Sequence, residues 1–84
     1  LELEKIREIA AGVLGLQTEL IADETDFMEE LGADSLELFR IVMEIEEAFA
    51  VELPTEKAEQ IRSVQDAVKV LRSLKNSTGR GYGK

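Results

Sequence analysis

The sequence predicts an all-α protein: a small four-helix bundle of three longer helices and one short helix, with a long loop between the first and second helices. Three observations lead there. Apolar residues recur at spacings of three and four in three separate stretches. Helix start and stop signals flank those stretches: Gly15, the pair Asp34 and Glu37, Pro54, and the pair Ser63 and Asp66. A chain of 84 residues has room for one domain and one core.

In residues 2–14, Leu3, Ile6, Ala10 and Val13 share one face, with Glu4, Lys5, Arg7 and Glu8 between them, and Gly15 stops the helix. From Leu16 to Asp34 the period fails. A long loop is expected there, crossing the core and packed down through Leu20, Ile21, Phe27 and Leu31. From Ser35 to Ala50 the stripe Leu38, Ile41, Val42, Ile45, Ala48 and Phe49 is the strongest in the chain, and Asp34 with Glu37 supplies a capping box at its start. Pro54 suits only a helix start, so Thr55 to Gln60 is at most a short helix. Ser63 and Asp66 resemble a second capping box, opening a helix with the face Val64, Ala67, Val68, Leu71 and Leu74. The domain is therefore read as residues 1–74, and residues 75–84, with three glycines and no apolar period, as a basic flexible tail.

Composition excludes more than it names. Apolar residues make up 44% of the chain and charged ones 33%, a balance that folds. No apolar run is long enough for stable membrane insertion, and no basic start leads into an apolar stretch. The expected location is the cytoplasm, or an organelle interior if a leader preceded Leu1. Cysteine and histidine are both absent, which removes disulfides, thiolate metal sites, the commonest metal ligand and the commonest general base. Acidic pairs such as Glu29 and Glu30 lack an Asp-x-Asp-x-Asp-Gly loop, so no metal is assigned. Residues 1–66 hold all 18 acids and 5 of the 10 bases, and the remaining bases follow. So acidic a body repels nucleic acid and suits proteins with Lys/Arg patches.

Ser35, in the segment LGADSLEL (31–38), admits three readings: catalyst, cap-region residue or attachment point. A nucleophilic serine needs a base, and the lysine nearest to it in sequence is Lys57. No catalytic residue is assigned, and the chain is read as a non-enzyme. As a first-turn residue beside the cap Asp34, Ser35 fits a helix start with no further role. The same first turn, with its free N–H groups and the positive end of the helix dipole, also tolerates a phosphodiester.

LGADSLEL, followed by IVMEIEEAF and ELPTEKAEQI, resembles the acyl carrier proteins of type II fatty acid synthesis, over nearly the whole chain from Leu14 and Gly15 to the helix ending near Leu74. The resemblance implies that Ser35, flanked by Asp34 and Leu36, receives 4′-phosphopantetheine from coenzyme A and that the arm carries acyl groups as thioesters. It implies as partners a phosphopantetheinyl transferase and acyl-transferring, condensing and reducing enzymes with basic docking patches, with the carrier itself a monomer. Polyketide or aminoacyl carriage is the alternative within the family, and a non-carrier helical binding module the alternative outside it.

With the stripe of the second helix turned to the core, Leu36, Arg40, Met43 and Glu47 form an outward row flanked by Glu37, Glu44 and Glu46. The resemblance makes this row, with Glu37 and Glu44, the partner surface. Arg40 stands where such carriers usually have an acid, as does Lys57, and Phe39 is bulkier than the usual β-branched residue; these differences point toward a specialised pathway. Glu37 and Glu44, three and four residues from Arg40, offer it neutralising partners. A cleft between helices would shelter the acyl chain, with Ile45, Phe49, Ile61, Val64 and Leu71 as candidate walls.

Overall fold

A computed structural model describes the backbone of residues 2–82 and the side chains of residues 2–74. Four α-helices follow in order: α1 (Glu2–Leu14), α2 (Ser35–Phe49), α3 (Thr55–Ala58) and α4 (Val64–Tyr82), with a short 3-10 turn at Thr18–Leu20 in the loop after α1. Among the described residues there is no strand, and no helix is long and apolar enough to cross a membrane. The expected bundle of three longer helices and one short helix is the fold observed.

The core follows the apolar stripes. α1 packs against both α2 and α4. Ile6 and Ala10 of α1, Ile41 and Ile45 of α2, and Val64 and Ala67 of α4 are fully buried, joined by Phe27 from the loop and Ile61 from the α3–α4 link. Individual side chains depart from the sequence reading, Ala11 of α1 among them, buried outside the expected face. Leu20 is 59% exposed, because the 3-10 turn that carries it lies at the surface, so the loop is anchored by Ile21 and Phe27 with Leu31 only half-buried. Ala48 is exposed, since the buried arc of α2 is narrower than its apolar stripe. Val70, outside the expected face of α4, is buried.

α1 and α2 end in the same way with different residues. After α1, Gly15 takes a φ of 69° and Leu16 N–H donates to Ala11 O at 3.0 Å. After α2, Ala50 takes a φ of 56° and Val51 N–H donates to Glu46 O at 3.1 Å. Both are left-handed caps closed by a six-residue backbone loop, a geometry that strains any side chain but glycine. α4 does not stop near Leu74: its backbone is helical to Tyr82, because no proline intervenes and an established helix propagates cheaply. The side chains of residues 75–82, with residues 83 and 84, lie outside the described residues, and so does the expected flexibility of the tail.

The two caps give a paired prediction. Ala50→Gly should raise unfolding stability by about 0.5 kcal/mol, the relief of left-handed strain less the added entropy of the unfolded chain. Gly15→Ala, where an added Cβ would meet nothing within 4 Å, should lower it by about 1 kcal/mol through backbone strain alone. Urea denaturation of both variants checks the opposite signs.

Candidate functional site

The first turn of α2 is locked by a reciprocal cap. Asp34 Oδ1 accepts from Glu37 N–H at 2.8 Å, and Glu37 Oε1 accepts from Asp34 N–H at 3.1 Å. Asp34 itself is extended, with φ −99° and ψ −178°, so the chain enters the helix through a sharp change of direction. Ser35 is the first helical residue, its side chain exposed and its hydroxyl without a hydrogen bond to the described residues. With Glu37 N–H taken by the cap, the N–H groups of Ser35 and Leu36 are left facing outward.

Ser35 stands on the wall of a cleft of about 420 Å³ between α2 and α3. Leu38, Phe39 and Val42 of α2 form one side, Leu53, Ala58 and Ile61 the other, and Met28 of the loop contributes an apolar edge. Glu46, Thr55, Glu59 and Arg62 supply the polar part of the lining. Of the five wall candidates named from sequence, only Ile61 lines this cleft. Ile45 and Val64 are fully buried in the core with Leu71, and Phe49 packs against that core. Of the α2 residues that do line the cleft, Leu38 and Val42 belong to the expected core stripe and Phe39 lies at its edge.

Lys57, the nearest sequence candidate for a base, points elsewhere. Its Nζ donates to Ser73 Oγ at 3.0 Å, and it lines a separate polar cleft with Gln60, Asp66 and Lys69. Among the described residues no base is paired with Ser35. Among the described residues no group of three or more His, Cys, Asp or Glu is placed to hold a metal ion.

The floor of the cleft is tied to the loop by Arg62, a residue that the sequence reading passed over. Its Nη2 lies 3.2 Å from Asp26 Oδ2 and 3.7 Å from Glu29 Oε2; its carbonyl accepts from Phe27 N–H at 2.8 Å; its own N–H donates to Asp66 Oδ2 at 3.1 Å. Asp26 caps its own turn, accepting from Glu29 N–H at 2.8 Å and Met28 N–H at 2.9 Å. The Glu29 N–H is the chief cause of a carboxyl pKa below the ordinary 3.8; desolvation opposes the shift, and the Met28 N–H and the Arg62 guanidinium add to it.

The outward row of α2 is in place. Leu36 is 71% exposed and Met43 44%, with Arg40, Glu44 and Glu47 also exposed. Glu37 is half-buried, its carboxylate held by the cap. Arg40 forms no ion pair within the described residues, so neither Glu37 nor Glu44 neutralises it in this structure. Phe39, 59% exposed, both lines the cleft and reaches solvent.

A family model described as the phosphopantetheine attachment site matches residues 4–71, most of the chain. The chain belongs to the acyl carrier protein family. Two solved structures share the fold. One, from Mycobacterium tuberculosis and assigned as an acyl carrier protein, has a TM-score of 0.78 and 24% identity over 88% of this chain and 99% of its own. The other, an acyl carrier protein from Enterococcus faecalis, has a TM-score of 0.71 and 29% identity over 86% of this chain and 91% of its own. Members of this family are non-catalytic carriers whose prosthetic group is phosphopantetheine, and they interact with a phosphopantetheinyl transferase and with biosynthetic enzymes. The carrier's residues fit that group: an exposed hydroxyl for a phosphodiester, two outward N–H groups beside it, and an adjoining apolar cleft.

Because the Asp26 carboxyl titrates lower folded than unfolded, its contribution to stability is present above the ordinary 3.8 and is lost as pH falls through the lower folded value. Asp26→Asn should therefore destabilise the carrier at neutral pH, with the gap to the parent closing as the solution is acidified below about pH 4. Thermal melts across that range, read as the difference between the two proteins, check it.

Proposed function

We propose that Ser35 is the attachment residue and that the chain carries acyl groups as thioesters, presenting them to enzymes of fatty acid or related specialised acyl biosynthesis. The observation that carries this reading is the exposed Ser35 hydroxyl at a capped helix start on the wall of an apolar cleft, inside the segment matched to the family. When bound, the prosthetic group supplies the terminal thiol that this cysteine-free chain lacks. Asp34 fixes where Ser35 sits, through the cap. The unpaired N–H groups of the first turn favour a phosphate at Ser35. Leu38, Val42, Leu53 and Ile61 exclude water from an apolar chain, which favours acyl over aminoacyl cargo.

Leu36, Arg40, Met43, Glu44 and Glu47, with Glu37 at their edge, form the docking surface. Glu44 and Glu47 steer partners that present basic patches, while Leu36 and Met43 give the contact an apolar centre. Exposed ion pairs of about 0.2 to 1 kcal/mol each make such contacts easy to leave, as a shuttle requires. The carrier would work where those enzymes are, in the cytoplasm or an organelle interior.

Incubation with coenzyme A and a broad-specificity phosphopantetheinyl transferase should add one phosphopantetheinyl group to the parent and none to Ser35→Ala, read by intact mass. An unmodified parent beside a modified control carrier would overturn the assignment. The unpaired Arg40 opposes a basic partner, so Arg40→Glu should lower the KM of that transferase about threefold at low salt, with the difference shrinking as salt rises. Steady-state kinetics at two ionic strengths decide this.

A further inference from the structure

Glu46 stands where a helix least favours an acid. It lies in the last turn of α2, which holds no base, and the negative end of the helix dipole opposes a carboxylate there. Among the described residues no ion pair reaches it. Nor does it flank the outward row as its spacing suggests: it is half-buried and lines the cleft that Ser35 adjoins. What engages it is the chain beyond the helix. Its carbonyl accepts from Ala50 N–H, and from Val51 N–H at 3.1 Å. Its carboxylate Oε2 accepts from Leu53 N–H at 2.7 Å, the length of a charge-assisted bond. Three backbone donors of the turn from α2 to α3 converge on one residue.

Leu53 is buried, lines the same cleft and precedes Pro54 at the start of α3. α3 has no buried residue and no side-chain cap, so its Pro54 flank rests on the Leu53 side chain and on this bond. We propose that Glu46 is a positioning residue of the carrier: through Leu53 it sets how far the α3 wall of the cleft stands from α2, and so how well the cleft shelters a bound chain. This rests on the reading that acyl groups are carried on Ser35. Without the carboxylate, the part-buried Leu53 N–H has no acceptor, a state relieved by moving outward to water. That movement draws Leu53 away from Leu38 and Val42 on the opposite wall, and the cleft widens from the Pro54 end. The Ile61 end stays tied, because Phe27 N–H still donates to the carbonyl of Arg62. Glutamine at this position keeps an acceptor oxygen of similar reach and lacks the charge, so it retains the bond in a weaker form.

The test uses the full chain loaded by the transferase with octanoyl groups carrying carbon-13 at the terminal methyl, each load first verified on Ser35 by mass. Parent, Glu46→Ala and Glu46→Gln are compared by amide hydrogen exchange and by the relaxation that a soluble paramagnetic agent causes at that methyl. In Glu46→Ala the Leu53 N–H should exchange about tenfold faster than in the parent while the Phe27 N–H keeps its parent rate. The methyl relaxation should rise severalfold in the same variant, and Glu46→Gln should lie nearer the parent in both readings. Equal methyl relaxation in parent and Glu46→Ala would overturn the proposal while leaving the carrier reading intact. Faster exchange at Phe27 together with Leu53 would also overturn it, since Glu46 would then support the whole fold and not the wall. Failure to load the octanoyl group on Ser35 of the parent would overturn both.

Discussion

Phe27 is fully buried, and its backbone N–H donates to the carbonyl of Arg62 at 2.8 Å. That tie joins the long loop before α2 to the link between α3 and α4, and the Arg62 guanidinium, paired with Asp26 and Glu29, joins the same two segments. Further bonds run beside it. Gln65 N–H donates to Asp23 O at 2.9 Å, Arg7 of α1 pairs with Asp23, and Arg7 Nε donates to Ile21 O at 2.8 Å. Ordering so long a loop costs conformational entropy that local turns do not recover, so burial of Ile21 and Phe27 has to offset it. Once the loop is fixed, the position of Asp34 is fixed, and with it the point where α2 begins. The cleft is the space left between that helix and α3.

The same ties arrange the charge. Of the five bases in residues 1–66, Arg7 and Arg62 are spent on loop carboxylates and Lys57 on Ser73 of α4. Positive charge is thereby drawn toward the interior of the loop and the α3–α4 side, leaving the outward row of α2 acidic except at Arg40. A chain with a net charge of −8 would present acid on many faces; the placement of its arginines makes α2 the face where acids stand beside exposed apolar residues. Arg40, unpaired, breaks the uniformity of that face at its centre.

The local chemistry of the helices was legible in the sequence because it is written in spacings of three and four. Asp34 and Glu37 form the reciprocal cap that their separation implies, and the α2 stripe buries Ile41, Val42 and Ile45. The second box is read only in part: Ser63 Oγ accepts from Asp66 N–H at 3.1 Å, but the Asp66 carboxylate reaches the N–H of Arg62 instead of that of Ser63. Arg62 itself left no periodic signal. Its partner Asp26 is 36 positions away, and no pattern within one helix encodes a contact between two loops. The cleft was misplaced for a related reason. Periodicity finds the centre of a buried stripe, while cleft walls come from its edges, at Leu38, Phe39 and Val42, where burial depends on how the neighbouring element is held.

That division between centre and edge bears on how so small a core can coexist with an open cleft. The fully buried residues of α1, α2 and α4 pack at the centre of the α2 stripe, and the cleft opens along its edge, toward α3. α3 has four residues, none of them buried, and is held by its flanks, Leu53 before it and Ile61 after it. Displacing a single turn held in this way breaks few apolar contacts, so the cleft can change volume at a cost well below that of global unfolding. The tie at Phe27 and Arg62 holds the Ile61 flank of α3, and Leu53 N–H, donating to Glu46 Oε2 at 2.7 Å, holds the Pro54 flank to α2. The fold thus keeps its stability in the three long helices and leaves accommodation to the short one.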